Sequence, residues 1–292
     1  MASVEIKLRK SWGKGSLWKM TKYAQVITFI GAGGKTTCVQ AITQEIVSTG
    51  QRVIATTTTK VFPEVSIKGW KNSSPPPYHQ EGACYWYVDV MEETGKWVGP
   101  TIEAVDEAIA KGNANAKART ATNAHTSATI PVLDTNNNKT CWVIEGDGAR
   151  GLKLKCWEPH EPQIPKRTDC IVLVLDGGLW GNVLQAAQVH RPYSCSDLLG
   201  HVFNAEKAWR YFLRSPVFAS PYRQMSWVIL LNCHGENAEN EDLLEPSVLL
   251  EELLHKSKEI EREVSDLKDR PSHLRLAAGD AKEGKLEWFD LW

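Results

Sequence analysis

The sequence predicts an α/β fold with a mostly parallel sheet and flanking helices, and three observations lead there. A β-branched run, Ala24 to Ile30 (AQVITFI), passes directly into a glycine cluster and then into a helical apolar pattern. Further apolar runs of strand length alternate with helical stretches, the arrangement that parallel strands need for their crossovers. The composition, 42% hydrophobic and 24% charged over 292 residues, is that of a chain that buries a core. A single domain over residues 1–292 is expected, with insertions accounting for its size.

Along the chain, residues 1–22 carry Lys7, Arg9, Lys10, Lys14, Lys19 and Lys22 against Glu5, and read as a solvated arm. After the first strand a helix is expected from Thr36 to Thr49, stopped by Gly50. A second strand begins at Arg52 to Ala55 and runs into Thr56, Thr57, Thr58 and Thr59. Cys84 to Met91 and Lys96 to Val98 suggest a hairpin turning at Glu93 to Gly95, followed by a helix over Ile102 to Ala110. Residues 71–82 and 111–140 lack a sustained apolar period and read as flexible surface insertions. Strands are expected at Thr140 to Ile144, Asp169 to Leu175 and Ser226 to Leu231, with a helix from Ser196 to Leu213. A charged helix from Glu241 to Asp269 carries a leucine stripe. Strand-like pieces at His273 to Ala277 and Lys285 to Trp292 finish the chain.

Lys plus Arg number 34 and Asp plus Glu 35, a net charge of −1, so no global field draws the chain to nucleic acid or anionic lipid. The 12 tryptophans are scattered and interleave with no basic patch, so they form no base-stacking platform. Runs such as Cys170 to Leu175 are far shorter than a bilayer span of roughly 20 residues, and a cytoplasmic protein is expected. The 7 cysteines include no C-x-x-C pair, suggesting neither a disulfide framework nor a zinc ribbon.

Gly31, Ala32, Gly33, Gly34, Lys35, Thr36 and Thr37 carry the strongest chemical signal. Glycines let backbone N–H groups converge on phosphate oxygens, a lysine meets the β and γ phosphates, and a hydroxyl meets Mg2+. The turn is two residues shorter than G-x-x-x-x-G-K-[ST], because the position five before Gly34 is Phe29. A P-loop NTPase-like three-layer architecture follows as the expectation, with ATP or GTP as ligand. A second strand end, Trp142 to Gly148 (WVIEGDG), sets Glu145 and Asp147 on one face by strand alternation. Asp147 is expected to hold the metal's waters and Glu145 to polarise an attacking water. Thr58 and Lys60 lie where the second strand ends, and Arg150, Lys153 and Lys155 suit an anionic group. His160, Glu161, His190 and Arg191 are further candidates for binding substrate or metal. Of the guanine-reading pattern Asn-Lys-x-Asp, the stretch Leu231 to Gly235 keeps only Asn232, which leaves the base open.

GAGGKTT, then TTTTK at Thr56 to Lys60, EGDGARGLKLK at Glu145 to Lys155, HEPQIP at His160 to Pro165 and VHRP at Val189 to Pro192 stand in the order of a known family. Together they resemble the selenium-cofactor biosynthesis family YqeC, described as an accessory factor for selenium-dependent molybdenum hydroxylases. The resemblance runs from Val26 to Gly200. Gly146 stands where that family has alanine, and Lys153 where it often has proline. The resemblance implies a P-loop-type nucleotide-binding protein with a molybdenum-hydroxylase client or a cofactor intermediate as partner. Three function classes stay open: an NTPase in enzyme maturation, a small-molecule kinase or phosphotransferase, and a non-catalytic scaffold. A homodimer is among the open assembly states.

Overall fold

The computed structural model describes residues 12–63, 66–78, 80–123, 139–233, 245–260 and 270–292. Val26–Gly31, all of it buried, forms the central strand of an α/β fold with a large, mostly parallel sheet. This strand is β2, because the N-terminal segment is structured where a solvated arm was expected: Trp12–Gly15 (β1) and the short helix Leu17–Met20 (α1) precede it. Trp12 pairs with Phe289 and Gly13 with Trp288, and Leu17 and Met20 are buried, so apolar residues between the lysines anchor this stretch. Residues 1–11 lie outside the described ones.

The glycine turn leads into Lys35–Ser48 (α2), and the chain returns through Arg52–Thr57 (β3). The expected hairpin divides. Lys68–Lys71 (β5) and Ala83–Tyr87 (β6) join the main sheet, whereas Lys60–Val61 (β4), Asp89–Val90 (β7) and Trp97–Val98 (β8) form a small sheet of their own. The helix expected to stop at Ala110 continues as Ile102–Asn123 (α3), into the stretch read as an insertion. Alanine-rich sequence favours helix even without an apolar stripe, which is why periodicity missed it. Residues 124–138 lie outside the described ones. In the other expected insertion, residues 72–78 are irregular but tied down, since Arg52 donates to the carbonyls of Pro76 at 2.7 Å and Pro77 at 3.1 Å.

Thr140–Glu145 (β9) ends in the paired acids, and Leu154–Lys155 (β10), Cys170–Asp176 (β11) and Val189–His190 (β12) follow. The helix expected from Ser196 is shorter and later, Ala205–Arg214 (α4), capped by Asn204 accepting from the Lys207 N–H. Residues 192–198 are 3-10 turns, and Gly200, with a φ of 73°, breaks the path to α4. Ser226–Asn232 (β13), Pro246–Glu259 (α5), His273–Asp280 (β14) and Lys285–Asp290 (β15) complete the fold. Of the helix expected over Glu241 to Asp269, Pro246–Glu259 is described, and residues 241–244 and 261–269 lie outside the described ones.

The large sheet runs β1-β15-β14-β13-β11-β2-β9-β3-β6-β5. From β14 to β5 all neighbours are parallel, and only the β14–β15 and β15–β1 pairs are antiparallel. Strand alternation supplies both faces. Ile27, Phe29, Val172 and Val174 pack with α1 and α2 on one side, whereas Ile30, Ile171, Leu173 and Leu175 pack with α4 and α5 on the other. Val26, Ile54, Trp142 and Ile144 meet the first turns of α3. The topology also sets where the two motifs meet. After β2 the chain crosses past β9 to β3, and after β9 it crosses past β2 to β11. Connections leaving in opposite directions open a crevice at the carboxyl ends of β2 and β9, where both motifs sit.

Candidate functional site

The glycine turn is shaped by contacts only glycine allows. Gly31, Gly33 and Gly34 have φ values of 95°, 76° and 105°. A Cβ on Gly33 would sit 2.3 Å from the Asp176 nitrogen, and one on Gly31 would sit 2.3 Å from the Val174 carbonyl oxygen. The turn is held by N–H groups of Ala32 to Val174 O at 2.9 Å and of Gly33 to Leu152 O at 3.2 Å. It delivers the chain into α2 with Gly34 as N-cap and no side-chain cap, so the first-turn N–H groups of Lys35, Thr36 and Thr37 face the crevice end of the helix. Thr36 is exposed and Thr37 half-buried.

Lys35 is buried, and its ammonium donates to Gly31 O at 2.5 Å while lying 3.4 Å from Asp147 Oδ1 and 3.9 Å from Glu145 Oε1. The Thr36 hydroxyl donates to Glu145 Oε2 at 3.1 Å. Burial pushes the Glu145 carboxyl above its ordinary value, opposed by Lys35 and reinforced by Asp147. Asp147 is wholly engaged within the protein. It accepts the Gly31 N–H at 3.0 and 3.1 Å and the Trp157 indole N–H at 2.8 Å, and it lies 3.3 Å from the Lys155 ammonium. Expected to hold a metal's waters, it is placed behind the glycine turn, where it grips the backbone.

Lys155 is completely buried and extends the network. Its ammonium donates to Gly148 O at 2.7 Å and to Glu161 Oε1 at 3.2 Å, and Arg191 pairs with the other oxygen of Glu161. Six side chains thereby alternate in sign from the crevice outward: Glu145, Lys35, Asp147, Lys155, Glu161, Arg191. Three cations face three anions, and the buried part of the chain, Glu145 to Lys155, is tolerable because every charge has a partner. Of the sequence candidates, the structure brings Lys35, Thr36, Glu145, Asp147, Lys155, Glu161 and Arg191 together.

The other candidates stand around this chain. Thr58 donates its hydroxyl to Gln163 O at 2.8 Å, and Gln163 N donates to Gly146 O at 3.0 Å, so the 160–165 loop is stapled over the end of β9. His160 and Lys60 are exposed, and the His160 carbonyl accepts from Gln163 Nε2 at 2.6 Å. Lys153 reaches Asp176 at 3.9 Å, beside the Gly33 contact. Arg150 is exposed, and both it and Arg191 adopt left-handed backbone, with φ values of 54° and 61°. Burial pushes the His190 imidazole below its ordinary value, and Lys155, Arg191 and Arg150 add to that against Glu161.

Three contributors stood outside the candidate site residues. Trp157 and Tyr211 back the network, the indole bonding to Asp147 and the phenol donating to Lys155 O at 2.8 Å. Asn232, at the end of β13, donates to Gly33 O at 3.0 Å and accepts from Ala281 N at 3.2 Å, bridging the glycine turn to the β14–β15 connection. One expectation is overturned: Cys156 and Cys195 are joined in a disulfide, because β10 and β12 run side by side and bring their Cα atoms to 6.3 Å. The other five cysteines are free, and burial pushes the Cys38 thiol, beneath the turn, up to about 12. Among the described residues no group of three or more His, Cys, Asp and Glu is arranged to hold a metal, and no helix is long and apolar enough to cross a membrane. A cavity of about 580 Å3 lies apart from these motifs, between the Pro75–Tyr78 stretch and the Ala104 and Lys111 turns of α3, over Trp86.

Comparison with known proteins converges on the same stretch. The family described as YqeC protein matches residues 27–193, from β2 to just past Arg191. The Escherichia coli (strain K12) protein named "Uncharacterized protein YqeC" is 28% identical over 184 residues, covering 61% of this chain and 62% of that protein. The chain therefore aligns with less than two thirds of that relative's length. No solved structure matches. With the glycine turn, the paired acids and the basic turn all inside the matched residues, the chain belongs to the YqeC family.

Proposed function

We propose that this protein binds a nucleoside triphosphate with Mg2+ at the Gly31–Thr37 turn and, as a P-loop-type NTPase, hydrolyses it to assist maturation of a molybdenum-type hydroxylase. The observation that carries the reading is the glycine turn opening an uncapped 14-residue helix at the crevice between β2 and β9. The residues present suit both groups. The first-turn N–H groups of α2 and the Lys35 ammonium meet phosphate, and the Thr36 hydroxyl beside the Glu145 carboxylate offers the hard oxygen donors Mg2+ takes, which needs only one or two carboxylates besides phosphate and water.

Lys35 directs its ammonium to the β and γ phosphates in exchange for the Gly31 carbonyl. Thr36 and Glu145 hold the metal side, and Asp147 fixes the turn that aims the first-turn N–H groups of α2. Bound Mg2+ supplies charge neutralisation across the phosphate oxygens. The hydroxylase client is drawn from the family resemblance, and the selenium dependence with it.

A phosphotransferase is the second reading, favoured by the two arginines in left-handed backbone that share His190 as neighbour, a placement suited to an anionic acceptor. Calorimetry with non-hydrolysable ATP and GTP analogues, with and without Mg2+ and beside Lys35→Ala, tests nucleotide binding. Binding that depends on Lys35 and is strengthened by Mg2+ supports it and names the base, and absence of binding to either nucleotide leaves the scaffold reading. Product analysis for a phosphorylated acceptor then separates transferase from hydrolase.

A further inference from the structure

We propose that Cys156–Cys195 is a reversible thiol–disulfide exchange site, opened by small thiols, whose redox state sets the outer end of the ion chain that leads to the glycine turn. The bond lies where that chain ends. Cys156 follows Lys155 directly, and Cys195 stands four residues after Arg191 on the same turn. Lys155 and Arg191 grip opposite oxygens of Glu161, so the disulfide ties together the two segments that carry these cations.

The bond is poorly suited to being a fold staple. It spans 39 residues, but the loop is already closed by the β10–β12 pairing, in which Leu154 faces Val189 and Lys155 faces His190, and by Cys156 N donating to His190 O at 3.0 Å. What it adds is restraint on residues 191–198 alone. That segment is two short 3-10 turns meeting at a non-helical Cys195, with Tyr193, Ser194, Ser196 and Asp197 exposed and only Cys195 and Leu198 reaching into the core, so it is placed to open without disturbing the sheet. A small cavity of about 50 Å3 lies against the bond, lined by Trp157, Ser194, Leu198, Tyr211 and Arg214. Arg214, which lines that cavity, is paired with Asp197 on the same 3-10 segment as Cys195.

The exchange balances with two molecules of a thiol such as glutathione. The attacking thiolate sulfur bonds to one bridge sulfur, and the S–S bond breaks with its electron pair passing to the other, which takes a proton. A second thiolate then attacks the mixed disulfide, releasing the second protein thiol and oxidised glutathione. Opening frees the 191–198 turn and lets Arg191 leave Glu161.

The exchange stands independently of the nucleotide reading, whereas its effect at the glycine turn rests on it. The full chain is equilibrated in graded mixtures of reduced and oxidised glutathione, quenched, alkylated and mapped by peptide mass spectrometry. Cys156 and Cys195 are expected to become alkylated together within the glutathione range, with the circular dichroism spectrum unchanged. A bond that persists throughout, or that opens only with global unfolding, overturns the proposal. Hydrogen exchange at 191–198 is expected to speed up at least about tenfold on reduction and equally in Cys195→Ser, and unchanged exchange overturns the coupling to Arg191. The affinity of a non-hydrolysable ATP analogue is expected to differ between the two redox forms by at least about threefold, and equal affinities overturn the link to the turn. No binding in either form defeats the nucleotide reading and that link, and leaves the thiol titration to decide the exchange.

Discussion

Both carboxylate oxygens of Asp147 accept the backbone N–H of Gly31, at 3.0 and 3.1 Å, so the second acid of the β9 end holds the first residue of the glycine turn in place. The same carboxylate stands between the buried ammoniums of Lys35 and Lys155. Asp147→Asn keeps the shape and removes the charge, leaving two buried cations with one neighbour fewer. A loss of about 3–5 kcal/mol of stability is expected by urea denaturation, together with weakened nucleotide binding even without Mg2+. If affinity falls only when Mg2+ is present, Asp147 acts on the metal and not on the turn.

Gly33 and Gly148 make a contrasting pair. Gly33→Ala forces a methyl group toward the Asp176 backbone at a φ of 76°, and is expected to cost roughly 1–3 kcal/mol and to abolish nucleotide binding. An added Cβ at Gly148 meets nothing within 4 Å, so Gly148→Ala is expected to stay within about 0.5 kcal/mol of wild type. Thermal unfolding of the two variants side by side checks the difference. Equal losses would mean that the close approach of Gly33 to β11 is not what holds the turn.

The parts of this site legible in the sequence are those whose signal is local. Gly31 to Thr37 and Glu145 to Gly148 each join a strand run to a turn, and both stand at the carboxyl ends of neighbouring strands. Strand order is not written there, nor that Asp147 turns inward to Gly31 across 116 residues, because pairing between distant segments leaves no periodicity in either. The same holds for Trp157, Tyr211 and the Cys156–Cys195 bond, each of which reads in isolation as an ordinary core residue. Among the helices, α3 outruns its expected end because alanine-rich helix needs no apolar stripe.

Asn232 illustrates a residue conspicuous in the sequence for one reason and placed in the fold for another. Its sequence context marks it only as a remnant of a base-reading pattern, whereas it spans from Gly33 O to Ala281 N with its whole amide buried. Asn232→Leu keeps the volume but leaves the Ala281 N–H and the Gly33 carbonyl without this partner. The expected cost is about 1–3 kcal/mol, with faster hydrogen exchange in both the glycine turn and the β14–β15 connection. Faster exchange in only one of the two segments would show that Asn232 does not link them.

The C-terminal hairpin supplies a pH dependence of definite sign. Burial pulls the Asp290 carboxyl upward, but the Arg275 guanidinium, bonded to its two oxygens at 2.7 and 3.0 Å, outweighs this and holds it below its ordinary value. His273 Nε2 at 3.4 Å and Lys22 at 3.8 Å face the same carboxylate. A carboxyl depressed in the folded state contributes stability that is fully present above its unfolded pKa of about 3.9 and is lost as pH falls through the folded value. Asp290→Asn is therefore expected to lower stability by roughly 1–2 kcal/mol near neutrality, with the gap to wild type closing as the pH drops below the ordinary carboxylate range. Arg275 also donates to Met20 O, so the loss should appear as earlier exposure of α1 and β15 to hydrogen exchange. A gap that stays constant down to acid would assign the effect to lost hydrogen-bond geometry instead of charge.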